Sequence, residues 1–198
     1  MKKQLQILAA LVITGTSGQA ALVYSGFQNI TVSTSFASTY VDVDAASSSP
    51  TQASGWDIDA FFGGEAFGNS ANFQPVRLTT SVSSSIVSLN LGDLVDSSDI
   101  YAIAAAGSSN HIGINPGQFA SGVTGYLGFS LIDNNAAGPF YGWMRVNLSN
   151  TGQPGQIIDW TYENSGAGIT VGAIPEPSSL AILALGTSLL AFGRRRRA

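Results

Sequence analysis

The chain contains no cysteine, which excludes disulfides, thiolate metal sites and cysteine nucleophiles together. Charge is scarce too: Asp, Glu, Lys and Arg make up only 10% of residues, a composition unlike that of a coiled-coil rod. One histidine, His111, is present. No Gly-x-Ser-x-Gly elbow, phosphate-cradling glycine loop or zinc-ligand spacing occurs, which removes the commonest catalytic signatures. Lysine is confined to Lys2 and Lys3, so between residues 21 and 174 only Arg77 and Arg145 oppose eleven acids, a net charge of −9. Nucleic acid and anionic membranes are bound through basic patches, so a body this acidic argues against both as partners.

What remains is apolar and small. Hydrophobic residues make up 44% of the 198, enough to fill the core of one domain, and 26 serines and 23 glycines favour strands and turns. Six of the eight basic residues sit at the two ends.

Met1-Lys2-Lys3 is followed by an apolar run from Leu5 to Ile13 and then by the small residues Thr14 to Gly18. A positive segment, a short apolar stretch and a small-residue exit, in that order, predict a secretory signal peptide over residues 1–20. Gly18-Gln19-Ala20 places the cut between Ala20 and Ala21. A buried core helix is the alternative reading.

Residues 174–198 have three parts: Pro175-Glu176-Pro177, an apolar stretch from Leu180 to Phe192, and Arg194, Arg195, Arg196 and Arg197. The prolines fix their own φ and push Ile174 and Glu176 toward extended backbone, the form a processing enzyme binds. A helix over 178–193 would be about 24 Å long, slightly short of a bilayer core of about 30 Å, and snorkelling arginines would anchor it on the inner side. The expected topology has both basic ends inside and the body outside.

Taken together, Pro175-Glu176-Pro177, the short apolar stretch and the terminal arginine cluster resemble the PEP-CTERM sorting signal of exported Gram-negative bacterial proteins. The resemblance implies an exosortase as processing partner, with Pro175, Glu176 and Pro177 as its recognition element and Arg194 to Arg197 as the retention signal. It also implies a transient stay in the inner membrane, then release to the cell surface or outside, in bacteria that typically make exopolysaccharide. A permanent single-span tail anchor is the alternative. Residues from about Gly122 to Gly172 are similar to the ectodomain frequently attached to such signals, a family with no assigned activity.

Residues 21–173 form the expected exported domain, in which apolar residues recur at every second position. The runs are Ile30 to Phe36, Val41 and Val43, Trp56 to Ala60, Val76 to Val82, Leu127 to Leu131, Met144 to Leu148, Ile158 to Tyr162, and Ile169 with Val171. Turn residues at 47–50, 63–64, 133–139 and 150–155 separate them. The expected fold is all-β: an antiparallel two-sheet sandwich, jelly-roll-like, flanked by the signal peptide and one transmembrane helix. Around Ser98 to Ala106, alanine favours helix while Ile-Tyr-Ala-Ile alternation favours strand.

Asp42, Asp44, Asp57 and Asp59 alternate with apolar residues, which places carboxylates on the wet face of two strands. They are the best calcium candidate the chain offers, but lack an Asp-x-Asp-x-Asp-Gly loop, and alternating aspartates more often serve solvation and protection of a sheet edge, so no metal or other cofactor is expected. Asp57, Asp59 and Glu65 carry no feature favouring glycosidase chemistry. Trp56, Phe61, Phe62 and Phe67 offer a candidate sugar platform, weighed against a plain core role, and Trp56 with Trp143 are the residues to test for glycan contact. The leading expectation is a non-enzymatic surface or matrix protein, with signal peptidase and exosortase as partners. The alternative is a carbohydrate-binding module or adhesin that holds exopolysaccharide.

Overall fold

The structure, a computed structural model, describes residues 21–81, 84–102 and 111–175. They form an all-β fold of antiparallel sheets with almost no helix. In chain order the strands are β1 (Leu22–Tyr24), β2 (Ile30–Val32), β3 (Thr39–Asp42), β4 (Ser47–Ser49), β5 (Ile58–Phe61), β6 (Ala66–Asn69) and β7 (Phe73–Pro75). They continue as β8 (Ser88–Leu89), β9 (Leu94–Val95), β10 (Thr124–Leu131), β11 (Phe140–Asn147), β12 (Gly155–Glu163) and β13 (Ile169–Thr170). A 3₁₀ turn at Phe62–Gly64 links β5 to β6.

The largest sheet has seven strands in the order β1-β12-β11-β10-β7, with β2 also on β12 and β8 also on β10. Its centre is the meander β10-β11-β12, whose alternating apolar residues and turn-rich connections at 132–139 and 148–154 let long strands pair along their length. Leu127 opposes Met144 and Phe129 opposes Gly142, so these residues share a face. Gly142 is required there, because a Cβ would run into the Phe129 ring.

A β-bulge re-phases β12. Arg145 pairs with Asp159 and Val146 with Ile157, leaving Ile158 unpaired. The Ile158 carbonyl instead accepts the backbone N–H groups of Gln28 and Asn29, at 2.8 and 3.1 Å. The extra residue lets Ile157 and Trp160, three positions apart, enter the same core cluster.

The second sheet has four short strands, β4-β3-β5-β6. Val41, Ile58, Ala60 and Phe67 leave its inner face and pack with Leu127, Phe129, Met144, Trp160 and Tyr162 of the large sheet. Burial of each large side chain contributes about 1.5–3 kcal/mol. Trp160 also ties the layers by a polar bond, its Nε1–H donating to the Val43 carbonyl at 2.9 Å. The opposite face of the large sheet is covered as well: Tyr141 and Trp143 pack with Val76, Val95, Ile169 and Val171, brought there in part by the two-stranded ribbon β9-β13.

Several local expectations need correction. Ser47–Ser49, read as a loop, is strand β4, held by its ladder to β3 and not by side-chain burial. The Ile30–Phe36 alternation stops at Val32, and Phe36 is 72% exposed in the loop beyond. The expected strand from Val76 to Val82 is displaced to Phe73–Pro75, with Val76 and Arg77 forming isolated bridges. Of the ambiguous segment, Tyr101 bridges Val76 in strand fashion, while 103–106 lie outside the described residues. So do the expected signal peptide (1–20) and transmembrane helix (178–193); among the described residues no helix is long and apolar enough to cross a membrane.

Candidate functional site

Two features meet at one end of the small sheet. The first is acidic. Asp42 ends β3 and Asp44 follows it, while Asp57 immediately precedes β5, the antiparallel neighbour of β3. The Asp57 N–H donates to the Val41 carbonyl at 2.8 Å, and its Oδ2 accepts the Val43 N–H at 2.7 Å. This exchange turns the Asp57 carboxylate toward the 42–44 segment, where one oxygen each of Asp42, Asp44 and Asp57 lies within 4.8 Å of the others.

Asn134, from the β10–β11 loop, closes the group. Its backbone N–H donates to Asp44 Oδ2 at 3.1 Å and its Nδ2 to Asp42 Oδ2 at 3.1 Å. Gly55 backs onto the same spot with φ +84°, and a Cβ there would lie 2.6 Å from Asn134 Oδ1 and 2.8 Å from Asp42 Oδ2, so only glycine fits.

Burial pushes the Asp57 carboxyl up to about 7; the Val43 N–H opposes the shift, and the charges of Asp44 and Asp42 add to it. Asp44 is also raised, mainly by burial and further by Asp42, against the opposing Asn134 N–H. Converging oxygens of this kind can hold a hard divalent cation such as calcium, or can hold protons at neutral pH.

The structure brings together three of the four sequence-nominated aspartates. Asp59 is apart, within β5 opposite Tyr40 and Gly68, where its carboxylate fills the space a side chain at 68 would need. The expectation that the aspartates line a wet face also fails for two: Asp57 is 3% exposed and Asp59 8%. Burial raises the Asp59 carboxyl, with the Ser38 hydroxyl opposing.

The second feature is aromatic. Tyr40 and the half-buried Trp56 meet edge-to-face at 5.5 Å and line a cleft of about 50 Å³ with Asp42, Ser47, Ser49 and Ser54. Trp143 cannot share a glycan-contact role: it is 2% exposed, packed between Val95 and Val171, with Nε1–H donating to the Ala173 carbonyl at 3.1 Å. Phe67 is likewise core, 1% exposed. Phe61 and Phe62 instead form a surface cluster with Phe36. Sequence reasoning missed Tyr40, Phe36, Asn134 and Gly55 as site residues; only Gly55, in a Ser-Gly turn, carried a local signal.

His111 is fully buried among Phe67 and Phe119, with Nε2 2.7 Å from the Gly64 carbonyl oxygen. Glu65 caps the 3₁₀ turn and does not join the aspartate group.

At the far end, Val171 is buried and Ala173 is tied to Trp143, whereas Ile174 is 51% exposed and Pro175 is exposed. The packed body therefore ends at Ala173, and the described residues beyond it, Ile174 and Pro175, are exposed. Glu176, Pro177, Arg194, Arg195, Arg196, Arg197 and Ala20 lie outside the described residues, while Ala21 is held at the sheet by mutual bonds with Asn164.

The family model for the PEP-CTERM protein-sorting motif matches residues 173–197. No curated protein and no solved structure matches the chain. The chain carries a PEP-CTERM sorting motif, whose role is exosortase-dependent sorting of an exported protein to the surface of Gram-negative bacteria.

Proposed function

We propose that this is a non-enzymatic surface or matrix protein whose residues 21–173 are an exported β-sandwich, jelly-roll-like in type. Signal peptidase cuts between Ala20 and Ala21. The helix over 178–193 then holds the chain in the inner membrane with Arg194 to Arg197 inside, until an exosortase recognises Pro175, Glu176 and Pro177 and releases it. The observation that carries this reading is the junction at Ala173: the half-buried Ala173 is tied to Trp143, whereas Ile174 and Pro175 are exposed, at the residue where the sorting motif begins. Two packed faces of a β-sheet support the sandwich, and the complete burial of the single histidine supports a body without a histidine-activated nucleophile. Intact mass of the protein recovered from the cell surface tests the trafficking. A mass lacking residues 1–20 and the terminal arginines is expected, and a chain that retains Arg194 to Arg197 refutes exosortase release.

A second reading, in which the body is a carbohydrate-binding module or adhesin for exopolysaccharide, is favoured by the Tyr40–Trp56 cleft with its serine hydroxyls. Aromatic surface beside hydroxyl groups suits the apolar ring faces and polar rims of sugars. Retention of the exported protein on the host's own polysaccharide, lost in Trp56→Ala, is the expected result.

A further inference from the structure

The outer face of the four-stranded sheet combines the buried carboxylate of Asp59 with aromatic rings that remain partly or largely exposed. Because Val41, Ile58 and Ala60 point inward, their neighbours point out: Tyr40 and Asp42 on β3, Asp59 and Phe61 on β5, and Ser47 and Ser49 on β4, which oppose Asp42 and Tyr40. Two aromatic groups stand on this face. One is the Tyr40–Trp56 pair. The other is a cluster of Phe36, Phe61 and Phe62 with ring centroids 5.3–5.9 Å apart.

The phenylalanine cluster is held out at a conformational cost. Phe62 has φ +53°, a left-handed backbone rarely adopted by a bulky residue, although two glycines follow it directly. Its N–H donates to the Ser35 carbonyl at 3.1 Å, and the Gly63 N–H to the Ser33 carbonyl at 2.7 Å, so the turn is pinned in that state. Phe36 is nonetheless 72% exposed and Phe62 41%. Core packing does not account for rings left in water, whereas an outside ligand would.

We infer that this outer face binds a neutral polysaccharide, with Tyr40–Trp56 and Phe36–Phe61–Phe62 as two aromatic subsites. The inference rests on the carbohydrate-binding reading and extends it from one cleft to a whole face. Tyr40 lies across from Asp59, and Phe61 is two residues further along β5, so their Cα positions are roughly 7–9 Å apart and a single chain of a few sugar rings can reach both groups. Size argues against a protein partner: four strands of about four residues cover roughly 270 Å², against about 800 Å² per side in a stable protein interface. Charge argues against a second copy or an anionic polymer, since a body of −9 that presents Asp42 on this face repels both. A neutral polyol with flat C–H faces meets the rings without that penalty, and the serine hydroxyls serve its rim.

Affinity electrophoresis of the exported protein in native gels containing hydroxyethylcellulose, a neutral β-1,4-glucan, or alginate, an acidic polymer, tests the inference. Retardation by hydroxyethylcellulose alone is expected, weakened about fivefold or more by either Phe36→Ala or Trp56→Ala. Phe27→Ala, at a ring 71% exposed but stacked over Arg145 on the large sheet, should leave it unchanged. Near-UV circular dichroism identifies any variant that fails to fold, in which case Trp56→Tyr and Phe36→Leu replace it with a smaller expected loss. No retardation of the parent protein by either polymer overturns both the inference and the carbohydrate-binding reading. Retardation that Phe36→Ala and Trp56→Ala leave intact overturns only the assignment to this face. Preference for alginate, an equal loss in Phe27→Ala, or a changed oligomeric state in Phe36→Ala each overturn it too.

Discussion

The two main sheets are built from the same residue types yet differ in what surrounds them. The large sheet has strands of up to nine residues and side chains packed on both faces. The small sheet has strands of three or four residues, its apolar side chains packed on the inner face, and an outer face that mixes the buried Asp59 with partly exposed aromatic rings. A layer buried twice can carry the stability of the fold, which frees the other to keep aromatic rings and carboxylates at its surface. Interior residues of the first layer should therefore be costly to change, and the solvent-exposed residues of the second nearly free.

The sharpest way to break that division is Trp160→Ala. Its side chain is 1% exposed and bonds the Val43 carbonyl, so the substitution should lower unfolding free energy in urea by about 4 kcal/mol. A loss below about 1 kcal/mol would mean that the two layers do not depend on this contact. Arg145→Met comes next. Arg145 forms a bidentate ion pair with Asp159, which is 1% exposed and also accepts the Tyr24 hydroxyl at 2.8 Å. Leaving that carboxylate without its cation should cost about 3 kcal/mol, and Asp159→Asn in the same chain should recover part of it.

Asp57→Asn probes the border between the layers and should act in the opposite direction. The folded carboxyl titrates at about 7 instead of 3.8, so between those values the folded state holds a proton that the unfolded state has lost. Stability from this group is greatest below about pH 4, falls as pH rises to about 7, and is flat above. Asparagine keeps an acceptor for the Val43 N–H and removes the titration, so the variant should be more stable at pH 8, on the order of 2 kcal/mol, with a shallower fall between pH 4 and 7. Thermal melts across that range check both parts. The smallest effect is expected for Phe36→Ala, within about 0.5 kcal/mol in urea, because little of that ring is covered.

Fold class was legible because a period of two survives wherever a strand lies between a packed face and its neighbours: Leu127, Phe129 and Leu131 are all fully buried, as alternation predicts. The local failures have distinct causes. Ile158, Trp160 and Tyr162 look like one alternating set, but the bulge removes Ile158 from its phase and puts Ile157 in the core. Ser47–Ser49 has no apolar residue to betray a strand, since an edge strand can be held by backbone bonds alone. Phe36 continues the pattern of Ile30 and Val32 in sequence, yet the chain has already left the sheet. Site geometry was less accessible still. The convergence of Asp42, Asp44 and Asp57 follows from pairing of β3 with β5, which brings together residues thirteen and fifteen positions apart, and Asn134 reaches them from the β10–β11 loop, ninety residues away from Asp44. The sorting motif was the most legible feature of all, because its recognition depends on a short contiguous segment and not on the fold.

The bond from Trp143 to the Ala173 carbonyl has a mechanical consequence. Any pull transmitted along the tail first reaches the body at Ala173 and Val171, on the side of the large sheet covered by the β9-β13 ribbon. The aromatic groups of the small sheet lie on the far side of that same layer. A chain tethered at its C-terminus would thus take strain through Trp143 and its apolar neighbours, with the whole central sheet between the point of load and the rings that face outward.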